Sequence, residues 1–411
     1  MSGFVEEIRP IDDCLEAASK SLGFPWDVKE RRVSLQDALG ARSSRDIRAP
    51  EPYPPFTRSL RDGYALDHSN TIGASAASPV FLRMAGEVMM GEEPSFELSG
   101  EETAAIPTGG ILPNGADAVV MIEDTTVSCG WVEVRKAVQR NENLVCKGEE
   151  VAVGDVLIKN GDLIGCAVPG MLGSFGISEA DVQDVKIGII STGDEIVPVS
   201  ESPPVGFIRD ANTNIIQSVL RRYGWVSLSY GIVSDEWHKL KARTDEALAE
   251  CDVVLLSGGS SVGMRDNTAK IMSALASPGL VVRGINMTPG KPTLIGGSSD
   301  EKKLIVGLPG HPLSCMTTAI FVVMPLLLAM SGVSSSSSHA GRYMELVLAD
   351  DVQGRAGADE FIPMRVEKNR AHPMAAKSGY VSAARDADGF IRLRPNTETL
   401  RKGENAEVWI W

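Results

Sequence analysis

The chain has 411 residues, 43% of them hydrophobic, with 41 Gly, 23 Pro and a formal net charge of -14. That length accommodates two to four domains with cores of their own, and the composition excludes a disordered or fibrous chain. Such an acidic balance argues against a non-specific nucleic-acid binder, because phosphate neutralisation needs a basic surface; a small anionic substrate sees only local charge.

The N-terminal MSGFVEEIRPIDDC carries no apolar signal core. Residues 1–60 hold short helical segments at Ile11–Leu22 and Ser34–Ala41 and the Pro-rich PEPYPPF, and residues 70–140 alternate apolar and polar positions between Gly-rich turns, as a small β-rich domain would. Residues 141–180 contain Gly148-Glu149-Glu150, a strand-like Val156–Ile158 and a helical patch at Ala167–Phe175. From Val185 strands alternate with helices. Strands are expected at Lys186–Ile190, Trp225–Val233, Asp252–Leu256, Leu280–Ile285 and Leu304–Val306, and helices at Thr213–Tyr223, Glu236–Ala249, Thr268–Ala276 and Ser314–Met330. This alternation implies a parallel sheet covered by helices on both faces. A Ser-rich linker at 331–338 leads to a second small β domain.

The expected fold is therefore multidomain α/β: a central doubly wound, mostly parallel sheet, small β-rich domains and an elongated N-terminal linker domain. The expected boundaries are 1–60 plus 141–180 for the discontinuous linker domain, 61–140 for the inserted β-rich domain, 181–332 for the α/β domain and 339–411 for the C-terminal β domain. Six scattered cysteines form no C-x-x-C pair, so free thiols in a reducing cytoplasm are expected. Met316–Met330 contains Pro325 and falls short of the ~20 residues of a membrane span, which makes it a buried or dimer-facing helix.

Ligands of parallel sheets bind beyond the carboxyl ends of the strands, and the loops expected there share a character. Ile190 is followed by Ser191-Thr192-Gly193-Asp194-Glu195, Val233 by Ser234-Asp235-Glu236, and Leu256 by Ser257-Gly258-Gly259-Ser260-Ser261. Met287-Thr288-Pro289-Gly290-Lys291-Pro292 and Gly307-Leu308-Pro309-Gly310-His311-Pro312 complete the rim. A Gly/Ser loop between a strand and a helix lets backbone N–H groups approach a phosphate, with Asp266 or Asn267 expected as the helix N-cap. The plainer alternative is a turn whose glycines only permit close packing. Carboxylates and phosphate-cradling amides on one rim suggest a Mg2+-dependent nucleotide or phosphoanhydride site.

Eight stretches in order carry a resemblance: PPFTRSLRDGYAL (54–66), PTGGILPNGADAVVMIED (107–124), GEEVAVGDVLIKNGDLIG (148–165), IISTGDEIV (189–197), RDANTN (209–214), LSGGSSVGMRD (256–266), TPGKP (288–292) and GLPGHPLS (307–314). With these the chain resembles the MoeA/gephyrin-E family of molybdopterin molybdenumtransferases. The resemblance implies a homodimer that binds adenylated molybdopterin and molybdate, cleaves the adenylate with help from Mg2+, inserts molybdenum into the dithiolene and releases AMP. It implies catalytic roles for Asp62, Glu195, Asp235 and Asp266, the last three also as metal ligands, with Asp62 reaching the cleft from the partner subunit. Substrate would be held by Asp210, Asn212, Ser257, Gly258, Gly259, Ser260 and Ser261, with Lys291, bracketed by Pro289 and Pro292, offering an ammonium to the molybdate dianion. A separate molybdopterin adenylyltransferase is the expected partner; nucleic acid and membrane are not.

Four positions depart from the common family pattern: Arg61 for Met, Glu150 for Asp, Thr288 for a second Lys and His311 for Asn. They leave open a paralogue that inserts tungstate, and a non-catalytic pterin-binding scaffold.

Overall fold

The structure is a computed structural model that describes residues 8–258, 262–333, 342–355, 357–375 and 377–411. It divides into two compact units. One comprises Ile47–Ile158 with Ser174–Gly176, and the other comprises Met1–Asp46, Lys159–Gly173 and Ile177–Trp411.

The first unit is built on a six-stranded sheet of β1 (Gly63–Leu66), β2 (Val80–Glu87), β3 (Glu102–Ile106), β4 (Ala118–Met121), β5 (Thr125–Ser128) and β6 (Trp131–Val134), in the order β4-β1-β3-β2-β6-β5. Alternation supplies its core: Leu82 on β2 and Val132 and Val134 on β6 are buried together with Tyr64, Leu66 and Val120.

The second unit begins with helix α1 (Ile11–Ser21) and holds the central sheet, formed by β7 (Ile187–Thr192), β8 (Ser227–Val233), β9 (Val253–Gly258), β10 (Pro278–Arg283), β11 (Leu294–Ser298) and β12 (Lys303–Leu308). The strand order is β8-β7-β9-β12-β11-β10. The first four of these are mutually parallel, whereas β11 is antiparallel to both of its neighbours. β7 and β9 are buried along nearly their whole length, as continuous apolar runs in a covered parallel sheet should be. Helices α2 (Asn212–Arg222), α3 (Trp237–Glu250) and α4 (Val262–Ser273) connect the parallel strands.

Three expectations need correction here. Leu294–Ser298, with Gly296 and Gly297, was not expected as a strand, yet it closes the sheet between β12 and β10. The helix expected to open near Asn267 starts at Val262, so Asp266 stands in its second turn and is not its N-cap. The strand before it extends through Ser257 and Gly258, which belong to β9 and not to the loop. Gly259, Ser260 and Ser261 lie outside the described residues.

The C-terminal β region is a closed barrel of β13 (Arg342–Leu348), β14 (Asp359–Glu367), β15 (Arg370–Pro373), β16 (Gly389–Leu393) and β17 (Asn405–Ile410), paired around the ring as β14-β15-β13-β17-β16-β14. Closure leaves no open edge within the ring. The apolar stretch Pro312–Met330 is α5 (Pro312–Thr318), a π-helical turn at Ala319–Val323 and α6 (Met324–Met330). This stretch is long and apolar enough for a membrane span, but 78% of its apolar window is buried inside the protein, which makes it a core element. From its π turn Phe321 stacks on Phe361 at 4.3 Å and meets Phe390 and Trp409 edge-on at 5.7 and 5.4 Å, joining barrel and α/β layer in one apolar core.

Phe321→Ala should therefore lower unfolding stability by about 3–5 kcal/mol. Urea unfolding of the full chain followed by tryptophan fluorescence checks this; a loss below about 1 kcal/mol would mean that the cluster does not join the two layers.

Candidate functional site

The parallel strands β7, β8, β9 and β12 bring their carboxyl ends to one edge of the sheet. β11 runs the other way, so its first residue Leu294, opposite Gly307, arrives at the same edge and brings the preceding Lys291-Pro292 with it. A small pocket is lined there by Thr192, Gly258, Thr268, Pro292, Leu294 and Leu308.

Gly258 is needed at this point. Its φ is +138°, and a Cβ would lie 2.0 Å from the Thr192 carbonyl oxygen, so only glycine lets β9 come this close to the end of β7. Close packing alone is enough to require glycine here. Ser257 is fully buried, with its Oγ 4.0 Å from Cys315 Sγ. Burial pushes the Cys315 thiol up to about 12.

The acidic residues gather unequally. The half-buried Asp235 accepts a 2.9 Å hydrogen bond from Thr192 Oγ1, its backbone N–H donates to Asp194 Oδ1 at 3.1 Å, and Asn267 Nδ2 donates to its carbonyl at 3.2 Å. Burial raises the Asp235 pKa; the Thr192 hydroxyl opposes this, while the charges of Asp194 and Glu195 add to it. Glu195 is exposed, and its backbone carbonyl accepts from the Ile208 N–H at 2.9 Å. Asp266 is turned to a different partner, Arg283 Nη2 at 2.8 Å. Thus the structure brings Asp235 and Glu195 together with Asp194 and holds Asp266 on Arg283.

Asp210 is buried and caps α2: its two carboxylate oxygens accept from the N–H of Thr213 at 3.1 Å and from its hydroxyl at 2.7 Å. Asn212 donates to the Gly310 carbonyl at 2.8 Å, leaving its Oδ1 buried without a partner. Ser191 Oγ and Ser234 Oγ, where β7 and β8 end, are also buried and unpartnered. Buried polar atoms of this kind call for a partner that the protein does not supply. Lys291 is exposed and has no ion-pair partner among the described residues, and Pro289 follows Thr288 through a cis peptide bond. In the other unit Asp62 is exposed and accepts from the Thr108 N–H at 2.7 Å and hydroxyl at 3.0 Å, bonds that lower its pKa. His311 precedes α5 without capping it through its side chain.

Sequence reasoning placed Thr192 and Asp194 on the rim and Asn267 at the helix start without giving them a role in the site, and it missed Arg283. The first two flank Gly193 in the stretch that supplied Glu195 and were open to detection there. Arg283 lies 17 residues from Asp266 with no motif to mark it. Among the described residues one group of three could place ligand atoms within 4.8 Å of one another, Asp67, His68 and Asp117 in the other unit. There His68 Nδ1 lies 2.7 Å from Asp117, which Arg140 also approaches at 3.7 Å.

Three known families match the chain in succession. Residues 9–176 match the MoeA N-terminal region (domain I and II), 188–329 a molybdopterin-binding domain family, and 345–411 the MoeA C-terminal region (domain IV). A protein of Methanocaldococcus jannaschii assigned to molybdopterin biosynthesis is 32% identical, covering 93% of this chain and 92% of its own. The molybdopterin molybdenumtransferase of Staphylococcus aureus strain Mu50 is 30% identical, covering 98% and 96%. The crystal structure of a molybdopterin biosynthesis MoeA protein from Pyrococcus horikoshii is 34% identical with a TM-score of 0.79, covering 98% of this chain and 99% of its own.

The Asp235 environment gives a signed pH dependence. With its pKa raised on folding, the native state holds this proton more tightly than the unfolded chain does. Ionisation at neutral pH therefore costs native stability, a cost that disappears as pH falls below the ordinary value of 3.8. Asp235→Asn should raise the thermal midpoint at pH 7, by an amount that shrinks as the pH is lowered through the carboxyl range. A gain that does not change with pH, or a loss at pH 7, in differential scanning calorimetry would contradict this assignment.

Proposed function

Since this chain belongs to the MoeA family of molybdopterin molybdenumtransferases, enzymes that insert molybdenum in molybdenum cofactor biosynthesis, we propose that it acts on adenylated molybdopterin, takes molybdate and releases AMP in a Mg2+-dependent reaction. The observation that carries this reading is the carboxyl edge of the central sheet. There Asp235, positioned by Thr192, is crowded by the charges of Asp194 and Glu195, beside the unpartnered Ser191, Asn212 and Ser234.

Mutually repelling carboxylates fit a hard divalent cation, whose charge relieves the repulsion. Asp235 and Glu195, with Asp266 once it leaves Arg283, are the residues that would hold Mg2+, which when bound neutralises phosphate charge during phosphoanhydride cleavage. The chain's own groups do the rest. Asn212 Oδ1 and the two serine hydroxyls offer hydrogen-bonding positions to a polar substrate. Lys291 offers its ammonium to the tetrahedral oxyanion. Thr288, where the family resemblance implies a second Lys, would leave the oxyanion with one fewer cation and weaker binding. Asp62, with a depressed pKa, stays ionised at neutral pH, and in this reading it completes the cleft from the other protomer of a homodimer. A separate adenylyltransferase would supply the substrate in the cytoplasm, and the four domain boundaries expected from the sequence would apply.

The test is AMP release from adenylated molybdopterin by the purified protein with Mg2+, comparing molybdate, tungstate and no oxyanion. Molybdate-dependent release, falling about 100-fold or more in Asp266→Asn, is expected, on the scale of losing one charge-stabilising group. Release with tungstate alone would assign the other oxyanion. Tight pterin binding without release under any condition would overturn the reading in favour of a scaffold.

A further inference from the structure

Asp266 lies in the second turn of α4, and Ala269, Lys270, Ser273 and Ala274 follow it along one face of the helix at intervals of three and four residues. This face borders a groove whose other wall is the edge strand β10, through Leu280 and Arg283. Arg283 is the last residue of β10 and pairs in register with Leu294 of β11. Leu294 also lines the small pocket beside Gly258 and Thr192, with Lys291 and Pro292 just before it in the chain. Arg283 therefore stands one strand from Leu294 at the same end of the sheet, with β11, β12 and β9 between its own strand and β7.

We propose that Arg283 is a positioning residue for Asp266: its guanidinium holds the carboxylate in the metal-free protein and competes with a divalent cation for it. This inference rests on the reading that Asp266 holds the metal. Three observations support it. The Arg283–Asp266 contact is a direct 2.8 Å charge-assisted hydrogen bond, so the carboxylate has a cation at hand before any metal arrives. Both side chains are about half exposed, at 49% and 45%, so the pair is weak enough to exchange. Asp194, Glu195 and Asp235 have no ion-pair partner among the described residues, whereas Asp266 is neutralised by the Arg283 side chain. If Asp266 is a metal ligand, an entering cation must compete with Arg283 for its carboxylate. Arg283 thereby sets the affinity, and its removal should make metal binding tighter.

The test is Mn2+ binding, with Mn2+ standing in for Mg2+, measured on the full-length protein by the EPR signal of the free ion. Arg283→Gln should bind Mn2+ about three- to fivefold more tightly, the range an exposed ion pair can account for. Arg283→Lys, which retains the charge, should stay close to wild type. In an Asp266→Asn background Arg283→Gln should change nothing. An equal gain in both backgrounds would reveal a general effect of removing positive charge and would overturn the proposal. Unchanged or weaker binding in Arg283→Gln, with Asp266→Asn weakening Mn2+, would overturn it while leaving the metal role of Asp266 intact. If Asp266→Asn leaves Mn2+ affinity unchanged, that metal role fails and the proposal fails with it. Circular dichroism spectra matching wild type establish that the variants are folded.

Discussion

The candidate site depends on how closely β9 approaches β7. At Gly258 the two parallel strands lie so near that a single methyl group would collide with the Thr192 carbonyl. That approach fixes where Thr192 ends, and Thr192 in turn fixes Asp235 through its hydroxyl. A residue on the strand end, the loop after β8 and, through Asn267, the second turn of α4 are thereby tied together. Parallel pairing supplies the common edge, and the antiparallel β11 delivers the Lys291-Pro292 segment to it from the opposite direction.

Charge organises that edge. Burial and the neighbouring carboxylates work against ionisation of Asp235, while the Thr192 hydrogen bond works for it. Such an arrangement is costly in an empty protein and favourable once a cation or a polar substrate enters, a balance common at functional sites. The unpartnered Ser191, Asn212 and Ser234 follow the same logic in a neutral form. In the barrel a buried carboxylate is paired. Asp359, fully buried in the barrel, accepts from Arg392 at 2.8 Å, and Arg392 also binds Asp12 of α1.

Much of this was legible in the sequence. Continuous apolar runs gave the parallel strands, and the Gly, Ser and carboxylate residues after them marked one rim. The strand at Leu294–Ser298 was not legible, because glycine ordinarily breaks a strand. Here Gly297 is required by the pairing itself: a Cβ would fall 2.1 Å from the Lys303 carbonyl oxygen across the ladder. Pattern also misplaced Asp266. Glycine and serine suggested a loop as far as the acid, whereas the helix begins at Val262. The partnership with Arg283 was beyond any local pattern, since it depends on α4 lying over the edge strand. Nor did the pattern show that the Asp210 carboxylate accepts from both the N–H and the hydroxyl of Thr213 at the start of α2.

The central claim is that the carboxyl edge of the sheet, with Asp235 at its heart, is where a divalent cation binds. Anomalous scattering from crystals soaked in Mn2+ tests it most directly. A manganese peak within coordinating distance, about 2–2.5 Å, of Asp235 or Glu195 is the predicted result. A peak confined to Asp67, His68 and Asp117, or no peak at the sheet edge at saturating Mn2+, would contradict it.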